Sequence, residues 1–280
     1  MKTTREVNKT VTGIATTDGD GVPLTRMIGS AYLEMLDPFI SLDIIDCEKA
    51  EDYIGGFPAH PHRGLETVTY MLNGKMRYCD SSGLSSDINA GAVQWISAGK
   101  GVIHSQMPQQ NTGLLKGLML WINLPGAEKM SEPNHQLAQS NSIPLEHRDN
   151  QCTLKVIAGS TATGTNGIIR KKSLKPIFWD IQLSVNGYFE EQIPYQHTAF
   201  IYVISGTLCV GKKRTLLYDG QLAVLSSGEK IQLTTSINTH LVLIAAMPLN
   251  EPIVRAGPFV MNNREQVDQA IDDYQSGTFI

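Results

Sequence analysis

Apolar residues in this chain fall in short runs separated by turns that carry glycine. ETVTYML (66–72), GAVQWIS (91–97), LLKGLMLWINL (114–124), AFIYVIS (199–205), QLAVLSS (221–227) and HLVLIAAM (240–247) read as strands. Between them lie TTDGDG (16–21), MLNGKM (71–76), VNGY (185–188), ISGTL (204–208) and YDGQ (218–221). Many short strands at regular turn spacing predict an all-β barrel or sandwich. One segment has helical periodicity, NNREQVDQAIDDYQSG (262–277), with Val267, Ala270, Ile271 and Tyr274 on one stripe. Asn262 and Glu265 are spaced to cap its start, and Gly277 stands where it should end.

The pattern also repeats. Tyr70 precedes Gly74 by four positions in the first half, and Tyr202 precedes Gly206 by four in the second. Gly91 opens a run that closes at Ser97 and Gly99, and Gly220 opens one that closes at Ser226 and Gly228. Two copies of one barrel unit explain this self-similarity. The expected division is a first barrel over 1–124, a connector over 125–150, a second barrel over 151–250 and an extension with a short helix over 251–280.

Composition narrows the function. The chain has 280 residues, 41% hydrophobic and 18% charged, with a formal net charge of −4. That balance disfavours direct nucleic-acid binding, which needs a basic footprint. No apolar run is long enough to span a membrane as a helix, and the start lacks the apolar core of a signal peptide. The cysteines, Cys47, Cys79, Cys152 and Cys209, are scattered without a CxxC pair, which predicts free thiols in the cytoplasm.

The candidate chemistry lies in the first copy. In AHPHRG, His60 and His62 are two apart, so an extended chain puts both on one face. In KGVIHSQMP, His104 and Gln106 repeat that spacing. Two adjacent strands can then bring three imidazoles and one amide to one interior point. Three histidines with open positions suit a catalytic site rather than a closed structural one. Nitrogen-rich ligation without thiolate suits Fe(II), Zn, Ni, Mn or Cu. The second copy lacks this set: Leu233 stands where the first has His104, Thr235 where it has Gln106, and His197 reads as structural. Trp95, Trp121, Met71, Met107 and Met119 read as core, Arg63 and Gly64 as shaping the strand entrance, and Lys100 as an exposed lysine. His135 and His147 are expected to face solvent in the connector.

The stretches GGFPAHPHRGLETVTYMLNG, AGAVQWISAGKGVIHSQMP, LMLWINLPGAEKMSEP and EPIVRAGPFVMNNREQVDQAIDDYQSG resemble the pirin family of bicupins, over essentially the whole chain. The resemblance implies two tandem cupin (jelly-roll-like) β-barrels with a C-terminal helix and one metal, usually iron, in the N-terminal barrel. It implies quercetinase-type dioxygenase activity, in which a flavonol ring is opened with O2 and carbon monoxide is released. A small aromatic, flavonol-like substrate and O2 would be the partners. Because the mammalian relative is a nuclear, iron-dependent transcriptional co-regulator, it also implies an alternative: a non-enzymatic, metal- or redox-responsive protein that meets a protein partner.

By motif, the family's ligands fall on His60, His62 and His104. The fourth, a Glu in the family, falls on Gln106, which offers a neutral carbonyl oxygen and cannot titrate. Weaker metal binding is expected. Gln106 occupies the catalytic position without the family's base, and Glu66 is the substitute candidate, because strand parity from His62 would place it on the same face; in the family this Glu is usually present without being a ligand, so its default role is hydrogen bonding beside the site.

Overall fold

The same sheet plan is used twice. The computed structural model describes residues 2–171 and 173–280, and the chain divides into two units. The first comprises Ile14–Ser140 with Leu249–Ile280, and the second Asn141–Pro248 with the N-terminal segment through Gly13. Each has a seven-stranded and a four-stranded sheet, antiparallel throughout. These are the two cupin barrels.

In the first unit the large sheet runs, in spatial order, Asn134–Ala138, Val93–Ser97, Leu65–Asn73, Leu115–Asn123, Phe39–Cys47, Val22–Ile28 and Ile14–Asp18. The small sheet runs Phe57–His62, Val102–Pro108, Met76–Asp80 and Ser85–Ile88. In the second unit the large sheet runs from Val7–Thr12 through Gln221–Leu225, Thr198–Ser205, Thr239–Ala246, Ile177–Leu183 and Cys152–Ala158 to Leu145–Arg148. The repeat extends to backbone angles. Gly74 and Gly206 have φ of 85° and 89°, and Gly91 and Gly220 have 76° and 74°. These left-handed turns are open to glycine at little cost.

The division differs from a sequential cut at three places. The N-terminal residues pair Val7–Thr12 with Gln221–Leu225 and so belong to the second unit. The expected connector is part structured, because Asn134–Ala138 is an edge strand on Val93–Ser97. The C-terminal extension belongs to the first unit. Strand pairing between distant segments leaves no local periodicity to read.

The C-terminal helix spans Arg264–Ser276. Its cap is Asn263, one residue beyond the expected position: the Asn263 side chain accepts from the Gln266 backbone N–H at 2.9 Å, and the Gln266 side chain accepts from the Asn262 N–H at 3.0 Å. Gly277, at φ 76°, ends the helix as expected. Ala270 packs with Phe259 and Phe279 against Ile103, the residue between Val102 and His104. Burying each of those phenylalanines contributes roughly 2 kcal/mol. The outer side of the His104 strand is thus covered by the chain's own C-terminal segment.

Apolar side chains fill the second barrel. Leu233, where the first copy has His104, is fully buried in that core with Phe189, Ile231 and Leu208. The Thr235 hydroxyl lies 2.7 Å from the Thr207 carbonyl oxygen and 2.9 Å from that of Ile237, sharing its one proton between them. His197 is buried and its neutral form is favoured, with a pKa lowered to about 4 by burial and by Arg5.

All four cysteines are free. Among the described residues no helix is long and apolar enough to cross a membrane, which says nothing of a β-barrel.

Candidate metal centre

Two strands of the small sheet carry the histidines. Phe57–His62 and Val102–Pro108 pair antiparallel with His104 opposite His60 and Val102 opposite His62. Along Val102–Pro108 the even-numbered residues are buried and the odd-numbered ones half-buried, so His104 and Gln106 share the interior face. A bulge between them sets Gln106 opposite Phe57. The alternation expected of HSQ is therefore present, while in Phe57–His62 Pro61 is buried as well as His62 and it is the ring contact of His60 and His62, centroids 4.8 Å apart, that puts them together.

One ring nitrogen from each of His60, His62 and His104 lies within 4.8 Å of the others. The His60 and His104 Nε2 atoms are 3.1 Å apart. Ligands about 2.1 Å from a metal and at right angles to each other sit roughly 3 Å apart, so this spacing suits a shared ion. His60 Nδ1 is 2.7 Å from the Pro58 carbonyl oxygen, which can only accept. The proton is thereby placed on Nδ1, and the Nε2 lone pair is turned to the centre. Burial and the neighbouring rings hold His62 well below the ordinary histidine pKa. Burial and His60 lower His104 to about 3. Neutral imidazoles are the form that ligates, so the donor set fits a divalent transition metal.

Gln106 is buried beside them. Its amide nitrogen donates to Thr69 Oγ1 at 2.9 Å and to Gln94 Oε1 at 2.8 Å. Both N–H bonds are used, and the carbonyl oxygen accepts a long 3.3 Å contact from Thr69 Oγ1, which leaves its second lone pair to offer an ion.

Glu66 is placed elsewhere. It accepts from the Trp95 indole N–H at 2.9 Å and is not among the converging ligands. The parity argument fails because Gly64, at φ 77°, separates two strands of different sheets. A Cβ at Gly64 would strike the Val260 carbonyl oxygen, so the break has room for glycine alone. Within Leu65–Asn73 it is Thr67, Val68 and Thr69 that line the cavity.

The histidines and Gln106 line a cavity of about 780 Å³. Trp121 and Met119, which read as core, are half-buried in its wall with Phe57. Trp121 stands edge-on to His62, ring centroids 4.9 Å apart, and the Arg255 guanidinium lies 4.8 Å from its ring centre. Asp43, the buried carboxylate of the cavity, receives two hydrogen bonds from Arg26, both 2.8 Å. A larger cavity, about 970 Å³, lies in the other unit around His197 and Lys175 and holds none of the three histidines.

Trp95 and Met71 are core, as read, and Lys100 is exposed in an ion pair with Glu132. His147 is exposed. His135 is not solvent-facing: it is half-buried, stacked on Tyr78 at 5.1 Å, and 2.8 Å from Gln94 Nε2 through its own Nε2. No motif marks Gln94, Thr69 or His135; the signal available was QW in GAVQWIS, which alternation would have turned inward at Gln94.

Comparison with known proteins agrees with this architecture. The family model described as Pirin matches residues 21–122, and that of the Pirin C-terminal cupin domain matches 178–280. A pirin-like protein of Caulobacter vibrioides is 43% identical over 98% of this chain and 99% of its own. Human pirin is 36% identical over 99% of this chain and 94% of its own. The crystal structure of a quercetin 2,3-dioxygenase from Acinetobacter baumannii superposes with a TM-score of 0.89 at 30% identity, covering 99% of this chain and 98% of that one.

Proposed function

This chain belongs to the pirin family, and on that footing we propose that its N-terminal cupin barrel holds one divalent transition metal and acts as a quercetinase-type dioxygenase. The observation that carries the reading is the convergence of three ring nitrogens within 4.8 Å inside a cavity. His60, His62 and His104 are the proposed ligands, with Gln106 Oε1 the fourth. Iron(II) is the proposed metal, on family grounds, and Zn, Ni, Mn and Cu suit the same donors. When bound, such an ion supplies a Lewis acid for a substrate oxygen and a partner for O2.

The protein's own part is binding and orientation. A cavity of about 780 Å³ lies in the range of small-molecule sites, and Trp121, Phe57 and Met119 offer apolar walls for a planar flavonol. Gln106 cannot take the flavonol's hydroxyl proton, and Asp43 is engaged by Arg26. The remaining carboxylates of the lining, Asp18 and Asp20, are exposed, and on this reading the substrate enters as its anion, its proton lost to solvent. The four free thiols support a reducing, cytoplasmic setting.

Gln106 also favours a second reading, a metal-responsive protein that meets a protein partner without turnover. An oxygen electrode separates the two. Protein loaded with Fe(II) should consume O2 with quercetin, and His62→Ala should abolish that uptake. Uptake unaffected by the substitution removes the proposed site, and no uptake from fully loaded protein leaves the partner-binding reading.

A further inference from the structure

Gln106 is held by a short chain of hydrogen bonds that leaves the barrel wall through one other side chain. Its amide nitrogen donates to Gln94 Oε1 at 2.8 Å, and Gln94 Nε2 is 2.8 Å from His135 Nε2. Gln94 is fully buried, so each of its polar atoms needs a partner within the protein. With its carbonyl taken by Gln106, its amino group requires an acceptor. An imidazole nitrogen without a proton is that acceptor.

We infer that His135 and Gln94 are positioning residues that decide which atom of Gln106 faces the three histidines. A chain of two amides has a direction. In the direction the Gln94 and Gln106 amides take, Gln106 commits its nitrogen to the wall and, apart from a long 3.3 Å contact from Thr69 Oγ1, keeps its oxygen for the cavity, which requires His135 to carry its proton on Nδ1. In the opposite direction His135 would donate from Nε2, Gln94 would donate to Gln106 Oε1, and the Gln106 amino group would turn toward the histidines. An amide nitrogen has no lone pair to give a metal, so only the first direction makes a fourth ligand.

The acceptor at 135 is thus matched to the amide at 106. A carboxylate at 106 would reverse the chain: Gln94 would donate to it and turn its own carbonyl toward 135, which would then have to donate. A histidine can serve either direction by moving its proton between ring nitrogens. The His135 ring is kept in place meanwhile. It stacks on Tyr78 with an interplanar angle of 26°, Tyr78 donates to Asp80 at 2.7 Å, and the backbone at 135 pairs with Ile96. Burial lowers its pKa, which favours the neutral ring the chain needs.

The consequence for metal rests on the metal-site reading above, but the hydrogen-bond direction does not, and the test separates them. Two-bond ¹H–¹⁵N spectra of metal-free protein labelled at histidine report the tautomer, with His135→Phe identifying the resonance. The Nδ1–H form is expected in the wild type and the Nε2–H form in Gln106→Glu. An Nε2–H form in the wild type, or no change in Gln106→Glu, overturns the inference. Titration with Ni(II) then reads the consequence. His135→Phe should weaken binding by about 10-fold or more in the wild type, the scale of a lost outer partner, and by under about 2-fold in Gln106→Glu, whose two oxygens are equivalent. Equal losses in both backgrounds would mean that His135 only packs, and would overturn it as well. Ni(II) binding to none of the variants would overturn the metal-site reading instead, and the tautomer alone then decides this inference.

Discussion

Arg63 and Asp273 stand 210 positions apart and form an ion pair at 2.6 Å. Arg63 follows His62 directly, and Asp273 lies on the C-terminal helix. The guanidinium is buried, donates also to the Lys100 carbonyl, and rests 4.5 Å from the centre of the Phe279 ring. The two histidine motifs and the C-terminus are therefore tied through one side chain. Removing the carboxylate leaves a buried cation with a weaker partner. Asp273→Asn should lower stability by about 2 kcal/mol, less than for a fully buried pair because Asp273 is 22% exposed. Chemical denaturation measures it. An unchanged midpoint would contradict the tie.

Glu66 is assigned to Trp95 rather than to an ion. A glutamine keeps an oxygen for the indole N–H, so Glu66→Gln should leave metal content unchanged. Loss of metal in this variant, measured by elemental analysis, would return Glu66 to the ligand set.

Gln106→Glu should both tighten metal and supply a base. Affinity for Ni(II) should rise by about 10-fold or more through the added negative charge. Flavonol turnover should also shift, from a pH profile that follows the substrate's own ionisation to one extending to lower pH, where a carboxylate near the substrate is charged. An unaltered profile would mean that residue 106 is not near the hydroxyl.

The second barrel should carry its own acid sensitivity. His197 has a folded pKa of about 4 against an ordinary value of 6.5. Between those values the unfolded chain binds more protons than the folded one, so stability falls as pH falls from about 6.5 to 4. Replacing His197 with Asn should flatten this part of the stability curve, followed by denaturant midpoints at each pH. An identical slope would place the acid sensitivity elsewhere.

The legible part of this molecule was whatever repeats locally. HSQ carries its parity within one strand, and the histidines of HPH meet its His104 at one point. The paired glycines 74 and 206 mark turns whose geometry is dictated within a few residues. What failed depended on contacts between distant segments. Glu66 hydrogen-bonds to Trp95 rather than joining the ligands, because parity from His62 does not carry across Gly64, where the chain changes sheets. The solvent-facing position expected of His135 fails because NHQLA has no strong strand propensity of its own and is a strand only by pairing with Val93–Ser97. A tryptophan in an apolar strand such as Trp121 is expected in the core, and a cavity wall and a core wall look alike in one dimension.

The central claim is that three histidines and an amide suffice to hold a metal. Elemental analysis of protein purified after growth with added iron, beside His60→Ala, tests it most directly. About one transition metal per chain, lost in the variant, is the predicted result. Metal that persists undiminished in His60→Ala, or none in the wild type even after anaerobic reconstitution with Fe(II), would contradict it.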